Sequence, residues 1–330
     1  MESGSTDIAT AMGFDIADTT ITVLNNFIGT TSAGNTDLGN SSNGIDFHGA
    51  SFSFGYSLQV GNGLGNGRNV ISGNDAIGIG ATTGTVTIMG NYIGTSLNGN
   101  ADLGNTLDGI QIAGTVVNAT IGGTVLGIPV GNVISGNNRM GIWINAAAIP
   151  ATIRGNKIGT NAAGTAALGN SSDGIFLYEN DTFTDSTITI GSETEPLDKN
   201  VISGNGGDGI EISEKVRQVK IFGNYIGTND SATAKIANAI VGIRIQSAQN
   251  EVGAVGNDTS ANIISGNESG IFLVSSTASG NKIFKNFIGT NPSGSNLGNL
   301  NSGIYINQSA LGNQIGNGLA TGTNTIAYNG

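Results

Sequence analysis

The chain has 330 residues, including 55 glycines, four prolines and no cysteine, and its formal net charge is −11. Without cysteine, disulfides and cysteine-based metal sites are excluded, and the acidic balance argues against nucleic acid, whose phosphates need a basic partner. No apolar run is long enough to span a bilayer, and the first residues lack the basic start and apolar stretch of a secretory signal.

Two short asparagine motifs alternate along the whole chain. They occur at intervals that switch between 22–24 and 38–44 residues. Self-similarity of this kind predicts a solenoid, in which each unit buries its apolar face against its neighbours. The Asn-x-Ile-Gly-Thr motif occupies Asn26–Thr30, Asn91–Thr95, Asn156–Thr160, Asn224–Thr228 and Asn286–Thr290. The NVISGN motif and its variants occupy Asn69–Asn74, Asn132–Asn137, Asn200–Asn205, Asn262–Asn267 and Asn324–Asn329.

Each repeat also contains a Gly-Ile motif and a third apolar segment just before the asparagine. These segments alternate with period 2 and are separated by Gly and Asn, a pattern that predicts short strands joined by tight turns. Three strands in 22 residues fit one coil of a parallel β-helix, with asparagine stacked in ladders and isoleucine stacked in a dry core. The Gly-Ile motifs or their variants begin at Gly13, Gly44, Gly78, Gly109, Gly141, Gly174, Gly209, Gly242, Gly270 and Gly303.

The longer repeats carry insertions at two constant places, which predict two rows of surface loops on alternate coils. We therefore expect an all-β chain, a single right-handed parallel β-helix of about ten coils in which short coils alternate with loop-bearing coils. The first insertion occupies Thr30–Asn40, Thr95–Asn105, Thr160–Asn170 and Thr290–Asn299, with a drifted form ending at Asn238. The second occupies Gly61–Arg68, Gly122–Gly131, Gly191–Lys199 and Gly253–Ala261.

The motifs NVISGN, I-x-GN-x-IGT and the segment Asn161–Leu177 resemble the right-handed parallel β-helix repeat family of bacterial secreted and surface proteins. The resemblance extends from about Gly13 to Gly330 and implies a right-handed helix located outside the cell or on its surface. We expect residues 1–330 to form one continuous domain that is a segment of a longer protein. The same superfamily includes pectate lyases, polygalacturonases, alginate epimerases and phage tailspikes, but none of their catalytic signatures is found here.

One column of side chains should point outward from successive coils, because it follows the Gly-Ile pair by one residue. Its central members are Trp143, Phe176, Glu211 and Arg244, and Tyr178 belongs to the next outward column. Outward aromatic rings can stack on sugar rings or contact a protein partner. The alternative is that the long loops fold over this face and bury the rings. Trp143, Phe176, Tyr178 and Arg244 are the candidate ligand-binding residues.

Aspartate precedes the glycine in three repeats, at Asp108, Asp173 and Asp208. Asp173 and Asp208 belong to adjacent coils, so their carboxylates should lie about 5 Å apart, with Glu211 nearby. Such a group can shift a pKa for acid–base work or bind a hard cation. The plainer interpretation is a solvated charged corner with a Glu211–Arg244 ladder pair. Asp173, Asp208 and Glu211 are the catalytic candidates.

His48 is the only histidine, which excludes multi-histidine metal sites. Nothing near it in sequence resembles a catalytic triad. We expect no metal site and no cofactor, apart from weak calcium binding by the polar insertions such as Thr228–Lys235.

The sequence favours a non-catalytic extracellular protein, either a rigid stalk or an adhesive or matrix component that stacks end to end with copies of itself. The main alternative is a β-helix that binds or cleaves polysaccharide with the outward face from Trp143 to Arg244. A third option places the function in flanking domains.

Overall fold

The computed structural model describes residues 19–49, 55–145, 149–179, 184–256, 261–307 and 310–330. In these ranges the chain forms short, mostly parallel strands and two single-turn 3₁₀ helices, Pro196–Asp198 and Ala320–Gly322. The predicted all-β parallel solenoid is therefore confirmed. Across the same ranges, no helix has the length and apolar character needed to cross a membrane. The predicted Gly13-Phe14 repeat lies outside the described residues.

A parallel sheet of ten two-residue strands is built from the two asparagine motifs, one strand for each motif. In every strand the isoleucine pairs with the isoleucine of the next coil, from Ile28 with Ile71 to Ile288 with Ile326. The ten strands are β2 (Phe27–Ile28), β5 (Val70–Ile71), β7 (Tyr92–Ile93), β11 (Val133–Ile134), β14 (Lys157–Ile158), β18 (Val201–Ile202), β22 (Tyr225–Ile226), β25 (Ile263–Ile264), β28 (Phe287–Ile288) and β31 (Thr325–Ile326).

The other strands belong to a 17-stranded sheet with two arms. Two long strands, β6 (Ile79–Ile88) and β8 (Ile110–Gly122), run through both arms and join them.

The Gly-Ile motifs form the first arm, which adds β3 (Ile45–Phe47), β12 (Ile142–Asn145), β15 (Ile175–Tyr178), β19 (Ile210–Ile212), β23 (Val241–Ile245), β26 (Ser269–Leu273) and β29 (Ile304–Ile306). The second arm adds β1 (Thr19–Val23), β4 (Tyr56–Val60), β13 (Ala151–Arg154), β17 (Ile188–Gly191), β21 (Lys220–Phe222), β24 (Glu251–Val252), β27 (Lys282–Ile283) and β30 (Gln314–Ile315). Outside the large sheets, β9 (Thr124–Val125) and β10 (Ile128–Pro129) form an antiparallel hairpin, and β16 (Thr184–Asp185) pairs with β20 (Val216–Arg217).

The inward side chains of the three strand sets stack into a continuous aliphatic core. Ile93, Ile134 and Ile158, which follow one another in the ten-stranded sheet, have no exposed surface. Burial of such a side chain stabilises the fold by about 1.5–3 kcal/mol. The buried isoleucine core predicted from the sequence is confirmed.

Asparagine side chains form two long ladders along the solenoid, and Asn250, Asn281 and Asn313 form a third, shorter one. In each, the Nδ2 of one asparagine donates to the Oδ1 of the asparagine in the next coil. The first ladder comprises Asn26, Asn69, Asn91, Asn132, Asn156, Asn200, Asn224, Asn262, Asn286 and Asn324, with distances of 2.8–3.1 Å. The second comprises Asn40, Asn74, Asn105, Asn137, Asn170, Asn205, Asn238, Asn267, Asn299 and Asn329, with distances of 2.7–3.4 Å.

The same oxygens also accept backbone N–H groups, as Asn156 Oδ1 does from the Asn132 N–H at 2.9 Å. Each rung therefore satisfies buried backbone and side-chain groups together. Such ladders were predicted from the sequence. The last asparagine of NVISGN and the asparagine that ends the first insertion belong to one ladder, which was not predicted.

Loops of the first row contact one another across the intervening short coil. The N–H of Leu97 donates to the carbonyl of Gly34 at 2.7 Å, and the N–H of Ala162 donates to the carbonyl of Gly99 at 2.9 Å. The same contact joins Asp230 to Gly164 at 2.9 Å. Alternate coils are thus hydrogen bonded through their loops as well as through their neighbours. In the second row, part of the predicted insertion Gly253–Ala261 lies outside the described residues.

The glycine of the Ile-Gly-Thr motif is required by the turn that it forms. Gly94 has φ +84°, and a Cβ on it would lie 2.2 Å from the carbonyl oxygen of Ser135 in the next coil. The positive φ and the close backbone approach both exclude a side chain. This corner explains why the glycine recurs in all five copies of the motif.

Candidate functional site

The outward column predicted from the sequence is in register on the first arm of the large sheet. Trp143 pairs with Phe176, Phe176 with Glu211, and Glu211 with Arg244. These side chains are half-buried, which is intermediate between the two predicted alternatives of full burial and full exposure. The structure therefore brings all the candidate residues to one face, with Tyr178 two positions beyond Phe176 on β15.

The aromatic residues on this face contact one another and nearby arginines. The rings of Phe176 and Tyr178 have centroids 5.6 Å apart, at an angle of 35°. The guanidinium of Arg139 lies 4.7 Å from the ring centroid of Trp143. A cation–π contact of this kind fixes the position of the ring, and the guanidinium covers one of the two ring faces. The indole Nε1 of Trp143 is buried and has no hydrogen-bond partner among the described residues.

The aspartates that precede the glycines are buried, and their carboxylates accept hydrogen bonds from backbone N–H groups. Asp108 accepts the N–H of Met140 at 3.1 Å, Asp173 accepts that of Asp208 at 2.7 Å, and Asp208 accepts that of Val241 at 2.9 Å. The expectation of a solvated charged corner was therefore wrong. At this corner a backbone N–H of the next coil has no strand partner. The aspartate side chain is short enough to hold its carboxylate at the corner, where it accepts a hydrogen bond from that N–H. Asn43 accepts the Ile77 N–H in the same way, at 3.1 Å.

Arg244 forms an ion pair with Asp208, through Nε to Oδ2 and through Nη2 to Oδ1 at 3.2 Å. Glu211 and Arg244 are neighbours in register, but the expected ladder ion pair between them does not form. The buried Asp208 carboxylate attracts the guanidinium more strongly than the half-buried Glu211 does, because burial strengthens charge–charge interactions. Arg139 pairs with Asp108 in a similar manner.

Asp173, Asp208 and Glu211 form a carboxyl cluster whose oxygens lie within 4.8 Å of one another. Burial, reinforced by the charges of Asp173 and Asp208, raises the pKa of Glu211 to about 7, and the charge of Arg244 opposes this rise. Burial also raises the pKa of Asp173, against the opposing hydrogen bond from the Asp208 N–H. Glu211 and Asp173 are hydrogen bonded through their side chains, so below about pH 7 Glu211 carries a proton that it can donate to Asp173.

The chemistry open to this cluster is limited by the bonds that it already makes. Both Asp208 oxygens accept protein donors, so a hard cation would compete with these donors for the Asp208 carboxylate. Glu211 is the member with a proton to give at neutral pH, and it lies on the outward column between Phe176 and Arg244.

His48 lies apart from the carboxyl cluster, next to β3 at the N-terminal end of the first arm. Its Nδ1 is 3.4 Å from Asp46 Oδ1, and its side chain is 70% exposed. The structure therefore does not bring the only histidine to the candidate acids.

A groove on the second arm was not predicted from the sequence. It has a volume of about 600 Å³ and is lined by Thr189, Lys220, Glu251 and Lys282, which follow one another in register. The signal in the sequence that could have located it is the outward position of the segment before each asparagine.

Comparison with known protein families, with curated proteins and with solved structures finds no match for this chain. The described residues define an all-β parallel solenoid on the evidence of their own strand pairing.

Proposed function

We propose that this chain is a rigid, non-catalytic rod with a structural or adhesive role outside the cell. We further propose that it belongs to the right-handed β-helix repeat proteins of bacterial surfaces that its motifs resemble. The observation that carries the proposal is the pair of asparagine ladders, each running through ten asparagines without a break. In such a solenoid every coil is fixed to both neighbours, so stiffness accumulates along the axis.

The distribution of polar groups supports a mechanical role over a catalytic one. Buried asparagine and aspartate side chains are used to bond one coil to the next. A catalytic centre would instead keep polar groups free to meet a substrate. Loop-to-loop hydrogen bonds add a second set of connections between alternate coils.

Single-molecule force spectroscopy tests this function directly. Pulled from its two ends, the chain should unfold in steps at a force that falls when Asn224, in the middle of the first ladder, is replaced by alanine. Thr233→Ala, in an exposed loop, is the control and should leave the force unchanged. Extension without force peaks would contradict a mechanical role. Turnover of polyanionic polysaccharides that is lost in Glu211→Gln would contradict the non-catalytic part.

A second candidate function is saccharide binding by the aromatic face. It is favoured by Trp143 and the Phe176–Tyr178 ring pair, which lie on adjacent strands and are half-buried. Adjacent strands are about 4.8 Å apart, close to the length of one sugar unit, so a glycan lying along the axis could place one ring on each coil.

A glycan array would test the saccharide function with Trp143→Ala and Phe176→Ala. Both variants should lose binding at least tenfold. Tyr92→Ala is the matched control, because Tyr92 is also half-buried beneath an arginine but lies on the ten-stranded sheet. An array without hits, or equal loss in the control, would refute this second candidate.

A further inference from the structure

The groove on the second arm holds two lysines that have no partner. All 12 lysines and arginines of the chain lie in the described residues. Lys220 and Lys282 form no ion pair and no side-chain hydrogen bond with any described residue, and both line the groove. Every other lysine and arginine has an ion pair, a hydrogen bond, a ring contact or another electrostatic interaction: Arg68, Arg139, Arg154, Lys157, Lys199, Lys215, Arg217, Lys235, Arg244 and Lys285. In a chain of net charge −11, two free ammonium groups in one groove indicate a site for anionic groups.

The two lysines flank a glutamate in one column of the sheet. Lys220 pairs in register with Glu251, and Glu251 pairs in register with Lys282. Although they are neighbours, Glu251 forms an ion pair with neither lysine. Lys220 and Lys282 lie two coils apart, about 9.6 Å along the axis, which is close to the length of two sugar units. A ligand that runs along the groove therefore meets a positive, a negative and a positive charge in turn.

Two glutamines line the same groove, and their amide groups are free. Gln218 and Gln249 are exposed and make no side-chain hydrogen bond to the described part of the chain. Both have a left-handed backbone, with φ of 61° and 63°, and the equivalent residue of the next coil is Gly280, with φ 65°. Glycine adopts this conformation without strain, so two amide side chains stand at positions that favour glycine. Amides donate and accept hydrogen bonds, as the hydroxyl groups of a sugar require.

We propose that this groove binds an acidic polysaccharide in which every second sugar carries a carboxylate. The polymer lies along the solenoid axis, with one carboxylate at Lys220, the next at Lys282 and an uncharged sugar opposite Glu251. A polymer with a carboxylate on every sugar is disfavoured, because one of its charges would face Glu251. The site goes beyond the proposed rod function, since neither the asparagine ladders nor the aromatic face takes part in it.

An extended acidic peptide fits these groups less well. The strands β21, β24 and β27 are each paired on both sides, so they offer no open edge to which a peptide strand could be added. Ile188 is the one large apolar residue among the described residues that line the groove, and it is buried. A peptide would therefore find no apolar anchor, whereas a polysaccharide needs none.

Calorimetric titration with soluble polysaccharides tests the site. Hyaluronan, in which glucuronate alternates with an uncharged sugar, should bind, and polygalacturonate, which has a carboxylate on every sugar, should bind at least tenfold more weakly. Lys220→Gln and Lys282→Gln should each weaken hyaluronan binding about tenfold, because each removes a charge-assisted hydrogen bond. Glu251→Gln should bring the affinity for polygalacturonate to within about threefold of that for hyaluronan, because the repelling charge is gone.

Two further variants separate binding from folding. Lys235→Gln is the matched control, because Lys235 lies in a loop of the first row and donates to the Gly298 carbonyl; it should leave hyaluronan binding unchanged. The double variant Gln218→Gly and Gln249→Gly should be at least as stable as wild type, because the left-handed backbone is relieved, and should still bind hyaluronan more weakly.

Absence of hyaluronan binding, equal binding of the two polysaccharides, or unchanged binding in both lysine variants would overturn the inference. Tighter binding of poly-glutamate than of hyaluronan would overturn it in favour of an acidic peptide. None of these results affects the force measurement or the variants of the aromatic face, so failure of the groove site is distinguishable from failure of the proposed function.

Discussion

The free energy of unfolding of the wild-type chain should depend on pH through Glu211, at the centre of the solenoid. Replacing Glu211 by glutamine should remove this dependence. The pKa of Glu211 is about 7 in the fold, above its ordinary value of 4.5, because of burial and the neighbouring Asp173 and Asp208 charges. A raised pKa means that the folded chain holds this proton more tightly than the unfolded chain does. The free energy of unfolding therefore falls as the pH rises from about 4.5 to 7 and stays low above that.

The size of the effect follows from the shift. At roughly 1 to 1.5 kcal/mol per pKa unit the full difference would be about 3 kcal/mol, and solvent screening of this half-buried side chain reduces it to about 1–2 kcal/mol. Glutamine has the same shape, carries no charge and keeps a donor for Asp173. We expect Glu211→Gln to be about 1–2 kcal/mol more stable than wild type at pH 8 and within about 0.5 kcal/mol of it at pH 5.

Guanidinium unfolding at pH 5, 6, 7 and 8 measures this difference. Trp143 is the only tryptophan and lies two strands from Glu211, so its fluorescence reports local unfolding around the carboxyl cluster. Glu268→Gln, at an exposed position, controls for the general loss of one carboxylate. A stability difference that is constant with pH, or a variant less stable than wild type at pH 8, would refute the electrostatic reasoning.

Three further predictions concern the residues that join the coils. Asn156→Ala should destabilise the chain by about 3–5 kcal/mol in denaturant unfolding, because at least two buried donors lose their acceptor; a loss below 1 kcal/mol would contradict the ladder's role. Gly94→Ala should cost about 2 kcal/mol or more because its Cβ meets a backbone oxygen, whereas Gly65→Ala, which has open space, should change the melting temperature little. Asp208→Asn should cost about 2–3 kcal/mol by leaving its half-buried arginine partner without a counter-charge, and an unchanged unfolding midpoint would show that the pair contributes nothing.

Most of the architecture was accessible from the sequence because the repeat itself encodes the columns. Once Asn26 and Ile28 recur at equivalent places, period-2 geometry and strand stacking determine which residues align. That is why the register of Trp143, Phe176 and Glu211 was predicted correctly.

The state of the charged residues was not accessible in the same way. Asp208 is buried at a corner where it accepts a backbone N–H that has no strand partner. Arg244 pairs with Asp208 and not with Glu211 because Asp208 is the more buried carboxylate. Spacing alone carries neither kind of information. The union of two different motifs in the second ladder, at Asn40 and Asn74, was also hidden because insertions of variable length separate them.

Because the loops of alternate coils contact one another, two coils are the smallest unit that can be added to or removed from the solenoid while these contacts are kept. Deleting residues 91–155 would put Asn156 in the place of Asn91, and the loop at Ala162 would meet Gly34 where Leu97 does now. Deleting one coil would instead place two loop-bearing or two short coils side by side. Adding or removing two coils therefore keeps these loop contacts in register, whereas adding or removing one coil does not.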